Sequence, residues 1–136
     1  MRFTSPGAAA GRQQRLERLR RDRAAAKPLR ALFPAVEQVR IDLKFEGESS
    51  ASSAPASQSH VLHPPARAFF EFPCPYADCD GQFNLTNAVE ATLTSSVRQV
   101  QGVLECAGLR ARSHSPKHPC QLHLNYTVTA NYEPDT

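Results

Sequence analysis

Strict alternation of apolar and polar residues marks two separate segments of the chain. In residues 39–45 the positions between the charged residues are apolar, namely Val39, Ile41, Leu43 and Phe45. Residues 122–132 repeat the pattern, with leucine, tyrosine, valine and alanine on one side and histidine, asparagine and threonine on the other. A period of two residues is typical of a strand that buries only one face. The two segments therefore predict an antiparallel sheet whose other face is exposed to solvent.

Shorter apolar runs between these segments predict further strands at residues 60–63, 68–72, 82–85 and 99–106. A short helix is predicted from about residue 86 to Ser96. Asn87 and Glu90 have the spacing of a capping box, and the apolar residues recur every four positions, at Val89, Leu93 and Val97. Together these elements predict a small α+β domain.

The N-terminal part of the chain has a different composition. Residues 12–27 consist largely of good helix formers and contain neither glycine nor proline. Apart from small alanines their apolar residues are only Leu16 and Leu19, too few for a core face. A helix this polar is solvent-exposed, bound to a partner or only marginally formed. Pro28 marks its boundary.

This change in composition divides the chain into two regions. Residues 1–35 are predicted to form a basic N-terminal extension, helical or disordered, and residues 36–136 a β-rich domain that contains all four cysteines of the chain. Within that domain, residues 46–59 are mainly serine and alanine and are predicted to be a low-complexity loop. Because the extension is so polar, we expect deletion of residues 1–25 to leave the fold intact.

Positive charge is concentrated at the N-terminus. Residues 1–30 contain nine lysine or arginine residues and two acidic ones, a net charge of +7, whereas the rest of the chain carries −4. A basic arm on an acidic body suggests a polyanionic partner such as RNA, DNA or a ribosomal surface. An acidic partner protein and a merely solvated tail are the alternatives. The candidate nucleic-acid-binding residues are Arg12, Arg15, Arg18, Arg20, Arg21, Arg23 and Lys27.

The four cysteines fall into two pairs. Cys74 and Cys79 are separated by four residues and followed by Gly81, whereas Cys106 and Cys120 are separated by thirteen. A tight turn lets the first two sulfurs point at one centre, and Gly81 permits the backbone conformation such a turn needs. Cys106 ends one predicted strand and Cys120 begins the next, so they can face each other across a hairpin. Two such pairs predict a tetrahedral site of four sulfurs, which suits Zn²⁺.

These cysteine turns resemble those of the zinc-ribbon and zinc-knuckle proteins. The matching motifs are Cys-Pro-Tyr-Ala-Asp-Cys-Asp-Gly at residues 74–81, Cys-Ala-Gly at residues 106–108 and the hairpin that follows. The resemblance covers roughly residues 69–132 and implies one zinc site of four cysteines between β-hairpins. The second pair departs from the superfamily because it does not form a second tight turn, so a different small β-rich zinc fold could hold the same ligands.

Other uses of the four cysteines remain open. Two disulfides would need an oxidising compartment, and the spacings do not match the plant-type iron–sulfur pattern. A redox dithiol normally has two residues between its cysteines, and four ordinary buried thiols are a further alternative. His114 or His118, close to Cys120 in sequence, could replace a cysteine as a metal ligand or donate a hydrogen bond to one of the ligands.

Several functions are disfavoured by what the sequence lacks. It has no apolar secretory signal at its N-terminus and no run of about 18 apolar residues that could cross a membrane. We therefore expect a cytoplasmic protein without a membrane partner. Catalytic motifs such as a phosphate-binding loop or a nucleophile elbow are also missing from the sequence. The sequence thus predicts a non-enzymatic zinc protein that binds nucleic acid or a ribonucleoprotein, with a zinc-containing protein-interaction adaptor as the alternative.

Overall fold

A computed structural model of the chain describes residues 8–47, 57–76, 79–110 and 118–133. The helices are α1 (Ala8–Ala25), α2 (Leu29–Leu32) and α3 (Thr86–Thr94). The strands are β1 (Val36–Glu46), β2 (Ser57–Leu62), β3 (Glu71–Pro73), β4 (Gln82–Asn84), β5 (Gln99–Glu105), β6 (Leu109–Arg110), β7 (His118–Pro119) and β8 (His123–Tyr132). All strand pairs in these ranges are antiparallel, which confirms the predicted α+β class. Within the same ranges, no helix has the length and apolarity needed to cross a membrane.

The largest sheet has the strand order β2–β1–β8–β5. Its central strands, β1 and β8, are the two alternating segments that the sequence singles out. Ile41 lies opposite Val128 and Phe45 opposite Leu124, so the apolar residues of both strands share one face. The charged residues of β1 and the threonines of β8 share the other. Strand β2 begins at Ser57, inside the segment predicted to be a loop.

The apolar face of this sheet is covered by α3 and by the hairpin of β3 and β4. The ring of Phe83 in β4 lies 5.8 Å from the ring of Phe45, measured between centroids. Phe70, just before β3, is 1% exposed and belongs to the same core. The hydroxyl of Tyr132 donates a hydrogen bond to the carbonyl oxygen of Thr92 in α3 at 3.1 Å. These contacts fix the β3–β4 hairpin, which carries the first cysteine pair, against the sheet.

Helix α3 differs from its prediction at both ends. The amide of Thr86 donates to the side-chain oxygen of Asn84 at 2.9 Å, and Asn87 lies inside the helix. The predicted capping box is therefore wrong, because Asn84 supplies the side-chain acceptor at this end. At the other end Ser96 turns the chain with a left-handed φ of 55°. Val97 is consequently 40% exposed, whereas the rest of the predicted apolar face is buried.

Helix α1 packs against strand β3 instead of standing apart from the domain. The side chain of Leu19 is 4% exposed. The guanidinium carbon of Arg23 lies 5.3 Å from the ring centroid of Phe69, a cation–π contact. Beyond the helix, the amide of Ala68 donates to the carbonyl oxygen of Lys27 at 2.8 Å. One face of this polar helix is thus held on the domain by one leucine and a few polar contacts.

Replacing Leu19 with alanine should destabilise the protein, because the substitution leaves a cavity beneath α1. We expect the free energy of unfolding to fall by about 2–3 kcal/mol. The matched control is Leu32→Ala, whose side chain is 44% exposed and whose loss should cost less than about 1 kcal/mol. Urea denaturation measures both.

Equal effects of the two leucine variants would show that α1 does not pack on the domain in solution. Deletion of residues 1–25 removes the contact of Leu19 altogether. The structure therefore predicts a destabilised protein after this deletion, where the sequence predicted an intact fold.

Candidate metal centre

The first cysteine pair lies at the end of the β3–β4 hairpin. Cys74 follows β3 directly, and its amide donates to the carbonyl oxygen of Gly81 at 3.0 Å. The amide of Cys79 donates to the carbonyl oxygen of Tyr76 at 3.2 Å. These two hydrogen bonds join the beginning and the end of the segment, so both cysteines are held in one turn.

The second pair faces across two neighbouring strands. Cys106 follows β5, and Cys120 lies between β7 and β8. The amide of Cys106 donates to the carbonyl oxygen of Leu122, and the amide of Cys120 donates to that of Gly108, both at 3.0 Å. The hairpin therefore continues past the cysteines into β6 and β7. This explains how thirteen intervening residues still leave the two cysteines side by side.

The four sulfurs converge on one point. Their Sγ atoms all lie within 4.8 Å of one another, with 3.9 Å between Cys74 and Cys120 and 3.6 Å between Cys79 and Cys106. Sulfurs bound tetrahedrally to zinc at ~2.3 Å would be separated by about 3.8 Å. A disulfide requires about 2.05 Å, and all four cysteines are free. The cluster could therefore hold one metal ion.

The two pairs differ in their access to solvent. Cys74 and Cys79 are 0% exposed, whereas Cys106 is 7% and Cys120 6% exposed. The second pair borders an open cavity of about 640 Å³ that is also lined by Glu46, Glu105, Gln121, Leu122 and His123. The second pair is therefore the side of the cluster that is more accessible to solvent.

Backbone amides point at one sulfur of each pair. The amide of Gly81 donates to the sulfur of Cys79 at 3.3 Å, and the amide of Gly108 donates to the sulfur of Cys106 at 3.4 Å. In both cases the donor lies two residues after the cysteine. Hydrogen bonds of this kind stabilise the negative charge of a thiolate, the form that binds metal.

Gly81 and Gly108 also pack directly against each other. A Cβ atom built on Gly108 would lie 2.4 Å from the amide nitrogen of Gly81 and 2.9 Å from the sulfur of Cys79. None of the glycines in the described part of the chain has a positive φ. The expectation that Gly81 supplies an unusual backbone conformation is therefore wrong. Glycine is needed here because the two cysteine turns approach too closely for a side chain.

Hydrogen bonds among the sulfurs shift their affinities for protons. Hydrogen bonds with Cys106 and Cys120 raise the pKa of Cys74 and also raise that of Cys79. Hydrogen bonds from Cys106 and Cys74 lower the pKa of Cys120. A metal ion would therefore have to displace the protons that these raised pKa values favour on Cys74 and Cys79.

Helix α1 contacts the first cysteine turn through two arginines. One guanidinium nitrogen of Arg12 donates to the carbonyl oxygens of Cys74, Tyr76 and Cys79, the last two at 2.9 and 3.5 Å. Arg15 donates to the carbonyl oxygen of Asp80 at 3.2 Å and also contacts the side chain of Gln82. The sequence analysis assigned both arginines to nucleic acid. Their helical spacing with Leu16 and Leu19 is the signal that could have placed them on the inner face.

Arg110 is a second cation beside the cluster that the sequence analysis missed. It is 5% exposed, and its guanidinium carbon lies 3.9 Å from the ring centroid of Tyr76. Its backbone pairs with that of Cys79. No sequence pattern distinguishes this arginine from one on the surface.

The seven predicted nucleic-acid-binding residues therefore divide into two groups. Arg12, Arg15 and Arg23 contact the domain. Arg18 is half-exposed and lies 3.8 Å from Asp22, four residues away on the same helix. The remaining three are exposed, namely Arg20, Arg21 and Lys27.

The side chains of the predicted alternative ligands, His114 and His118, are not described by the structure. His114 lies outside the described residues, and of His118 only the backbone is described.

Comparison with known proteins adds no further constraint: no family model matches the chain, and neither curated proteins nor solved structures yield a match. The candidate metal centre therefore rests on its geometry and on the chemistry of its residues.

Replacing Gly108 with alanine should disrupt the centre, because backbone atoms of Gly81 occupy the space that the methyl group needs. We expect the free energy of unfolding to fall by about 1–3 kcal/mol or more. In the control, Gly11→Ala, the nearest heavy atom to the new Cβ is 3.6 Å away. Because Gly11 lies within α1, that change should stabilise the protein by about 0.5–1 kcal/mol. Thermal denaturation compares the two, and a Gly108→Ala variant as stable as the wild type would contradict the packing described here.

Proposed function

We propose that the four cysteines bind a single Zn²⁺ ion that stabilises the fold and does not take part in catalysis. The observation that carries this proposal is the convergence of four buried sulfurs at the separations a tetrahedral zinc site requires. Zinc accepts four thiolates without a redox change, and four protein ligands leave no position for water or substrate. A closed shell of this kind favours a structural, non-enzymatic role.

The surroundings of the cluster support the same role. One cysteine pair lies on a hairpin turn and the other spans two opposed strands, an arrangement that supports the resemblance to zinc ribbons. The two amide-to-sulfur hydrogen bonds and the nearby guanidinium groups of Arg12 and Arg110 offset the −2 charge of a zinc ion with four thiolates. In zinc-finger peptides such an ion contributes about 10–16 kcal/mol to folding.

Elemental analysis of protein purified under reducing conditions tests this proposal. We expect one zinc ion per chain, and removal of the ion by a chelator should lower the melting temperature sharply.

Replacing any one of the four cysteines with serine should destabilise the region from residue 60 to residue 132, because an incomplete shell binds zinc more weakly. Substitution by Co²⁺ should give the absorption spectrum of a tetrahedral thiolate site. A native protein that is purified stably folded but without metal, one whose melting temperature the chelator leaves unchanged, or one containing iron and sulfide would contradict a zinc site.

The outward side of α1 is the proposed binding surface for RNA or DNA. Its exposed cations are Arg18, Arg20 and Arg21, and Lys27 follows just beyond the helix. All four belong to a segment of charge +7, while the rest of the chain carries −4. Since Arg12, Arg15 and Arg23 are already engaged by the domain, the outward cations are the ones left to contact phosphates. Phosphate contacts of this type give salt-dependent binding that requires no particular base sequence.

Nucleic-acid binding can be measured with a labelled single-stranded RNA and a DNA duplex by fluorescence anisotropy. We expect affinity to fall steeply as salt concentration rises. The double variant Arg20→Ser/Arg21→Ser should bind more weakly, and the slope of log K against log salt should decrease by about 2. The control Arg40→Ser/Lys44→Ser removes the same charge from the exposed face of the sheet and should bind as the wild type does. Absent binding, salt-insensitive binding or equal losses in both double variants would contradict this surface.

An acidic partner protein is the competing use of the same surface. A pull-down with nuclease treatment separates the two, since only a protein complex survives the nuclease. Survival of the complex would transfer the proposed role of the outward cations from nucleic acid to protein.

A further inference from the structure

The contact between Arg12 and the first cysteine turn is unusual because one side chain reaches three carbonyl oxygens of the same turn. Two of these oxygens belong to the cysteines themselves, Cys74 and Cys79, and the third belongs to Tyr76 between them. The residues that bear them are otherwise separated by up to five positions in sequence. Their oxygens converge only when the turn is closed.

The cysteine sulfurs add to the backbone hydrogen bonds that close this turn. The amide of Cys74 bonds to the carbonyl of Gly81, and the amide of Gly81 bonds to the sulfur of Cys79. The sulfurs of Cys74 and Cys79 in turn lie against those of Cys120 and Cys106. An ion that binds all four sulfurs would fix the turn, and with it the three carbonyl oxygens that Arg12 contacts.

Charge links the same groups. A zinc ion with four thiolates has a net charge of −2, and the guanidinium of Arg12 is partly buried against the turn that carries two of them. Hydrogen bonds from a charged donor are stronger than neutral ones, and they gain further when the opposing charge is close and solvent is excluded. Metal binding would therefore strengthen the hydrogen bonds between Arg12 and the turn in two ways: it fixes the carbonyl oxygens, and it places negative charge nearby.

We infer that Arg12 is a positioning residue that couples metal binding at the cysteine cluster to docking of the N-terminal half of α1. The inference rests on the proposed zinc site and adds how that site controls the basic helix. The metal-loaded turn holds Arg12, and Arg12 in turn stabilises the closed turn. Such coupling is reciprocal, so a docked helix raises the affinity for metal by the same factor by which metal favours docking.

The two halves of α1 depend on different contacts, which makes the coupling local. Arg12 and Arg15 contact the cysteine turn, whereas Leu19 is buried and Arg23 contacts Phe69 outside it. Loss of the metal should therefore release residues 8–16 and leave residues 19–25 in place. Of the outward cations, Arg18 lies at the junction of the two halves, so its placement changes with the state of the turn, whereas Arg20 and Arg21 lie in the half that stays in place.

Zinc affinity and hydrogen exchange together test this coupling in the full chain. By competition with a chromogenic chelator, Arg12→Ala should bind zinc about tenfold more weakly than the wild type, within the range usual for coupled sites. Arg30→Ala is the charge-matched control, an exposed residue of α2, and should leave zinc affinity unchanged. Arg12→Lys should recover only part of the loss, because an ammonium group keeps the charge but lacks the planar guanidinium.

Hydrogen exchange measured by mass spectrometry supplies the readout that separates coupling from simple packing. In the wild type, zinc should increase protection of residues 8–16 more than that of residues 19–25. In Arg12→Ala this zinc-dependent increase should disappear. An Arg12 that served only to pack the helix would lower protection equally with and without zinc and would leave zinc affinity unchanged, and that result would overturn the inference.

Failure of the inference is distinguishable from failure of the proposed function. If the wild-type protein binds no zinc, both fail. If it binds one zinc with the affinity of Arg12→Ala, only the coupling fails. Should Arg12→Ala not fold, Arg12→Lys and the wild-type exchange pattern with and without zinc decide the question. Uniform zinc-dependent protection along the whole of α1 would also overturn the inference.

Discussion

Three separate β-sheets meet at the cluster of four buried sulfurs, and this convergence is the constraint on which the remainder of the structure depends. Cys74 and Cys79 belong to the β3–β4 hairpin, while Cys106 and Cys120 lie where the four-stranded sheet passes into the small β6–β7 ribbon. Apart from the sulfurs, the described contacts between the hairpin and the ribbon are few: hydrogen bonds around Asp80, the close packing of Gly81 on Gly108 and the contact of Arg110 with Tyr76. An ion bound at their meeting point would unite elements that a core this small holds together only weakly.

The N-terminal helix makes sense in relation to that cluster. Its sequence is too polar to bury a broad face, yet Arg12 and Arg15 find acceptors in the carbonyl oxygens of the cysteine turn. The cationic side chains on the inner face thus attach the helix to the domain, as apolar side chains do in an ordinary amphipathic helix. The outer face keeps the cations that the proposed nucleic-acid surface needs.

Much of the fold could be predicted because its central strands follow a simple rule. The alternation in β1 and β8 reports burial of one face, and these strands pair in the middle of the sheet with their apolar residues aligned. The cysteine spacings likewise indicated which sulfurs converge. Other features escaped prediction because they depend on distant partners. Nothing local to Arg12 or Arg110 reveals the acceptors and the aromatic ring they meet, and Gly108 is required only because Gly81 lies against it.

The pairing of β1 with β8 also has a consequence for how the chain comes to be folded during synthesis. Strand β1 can pair early with β2, but it precedes its other neighbour β8 by more than seventy residues, so its second edge has no partner until the ribosome has released the segment that ends at Tyr132. Long-range antiparallel pairing of this kind closes slowly. The nascent polypeptide therefore presents a strand with one unpaired edge for most of translation, and molecular chaperones are the cellular factors that shield such surfaces.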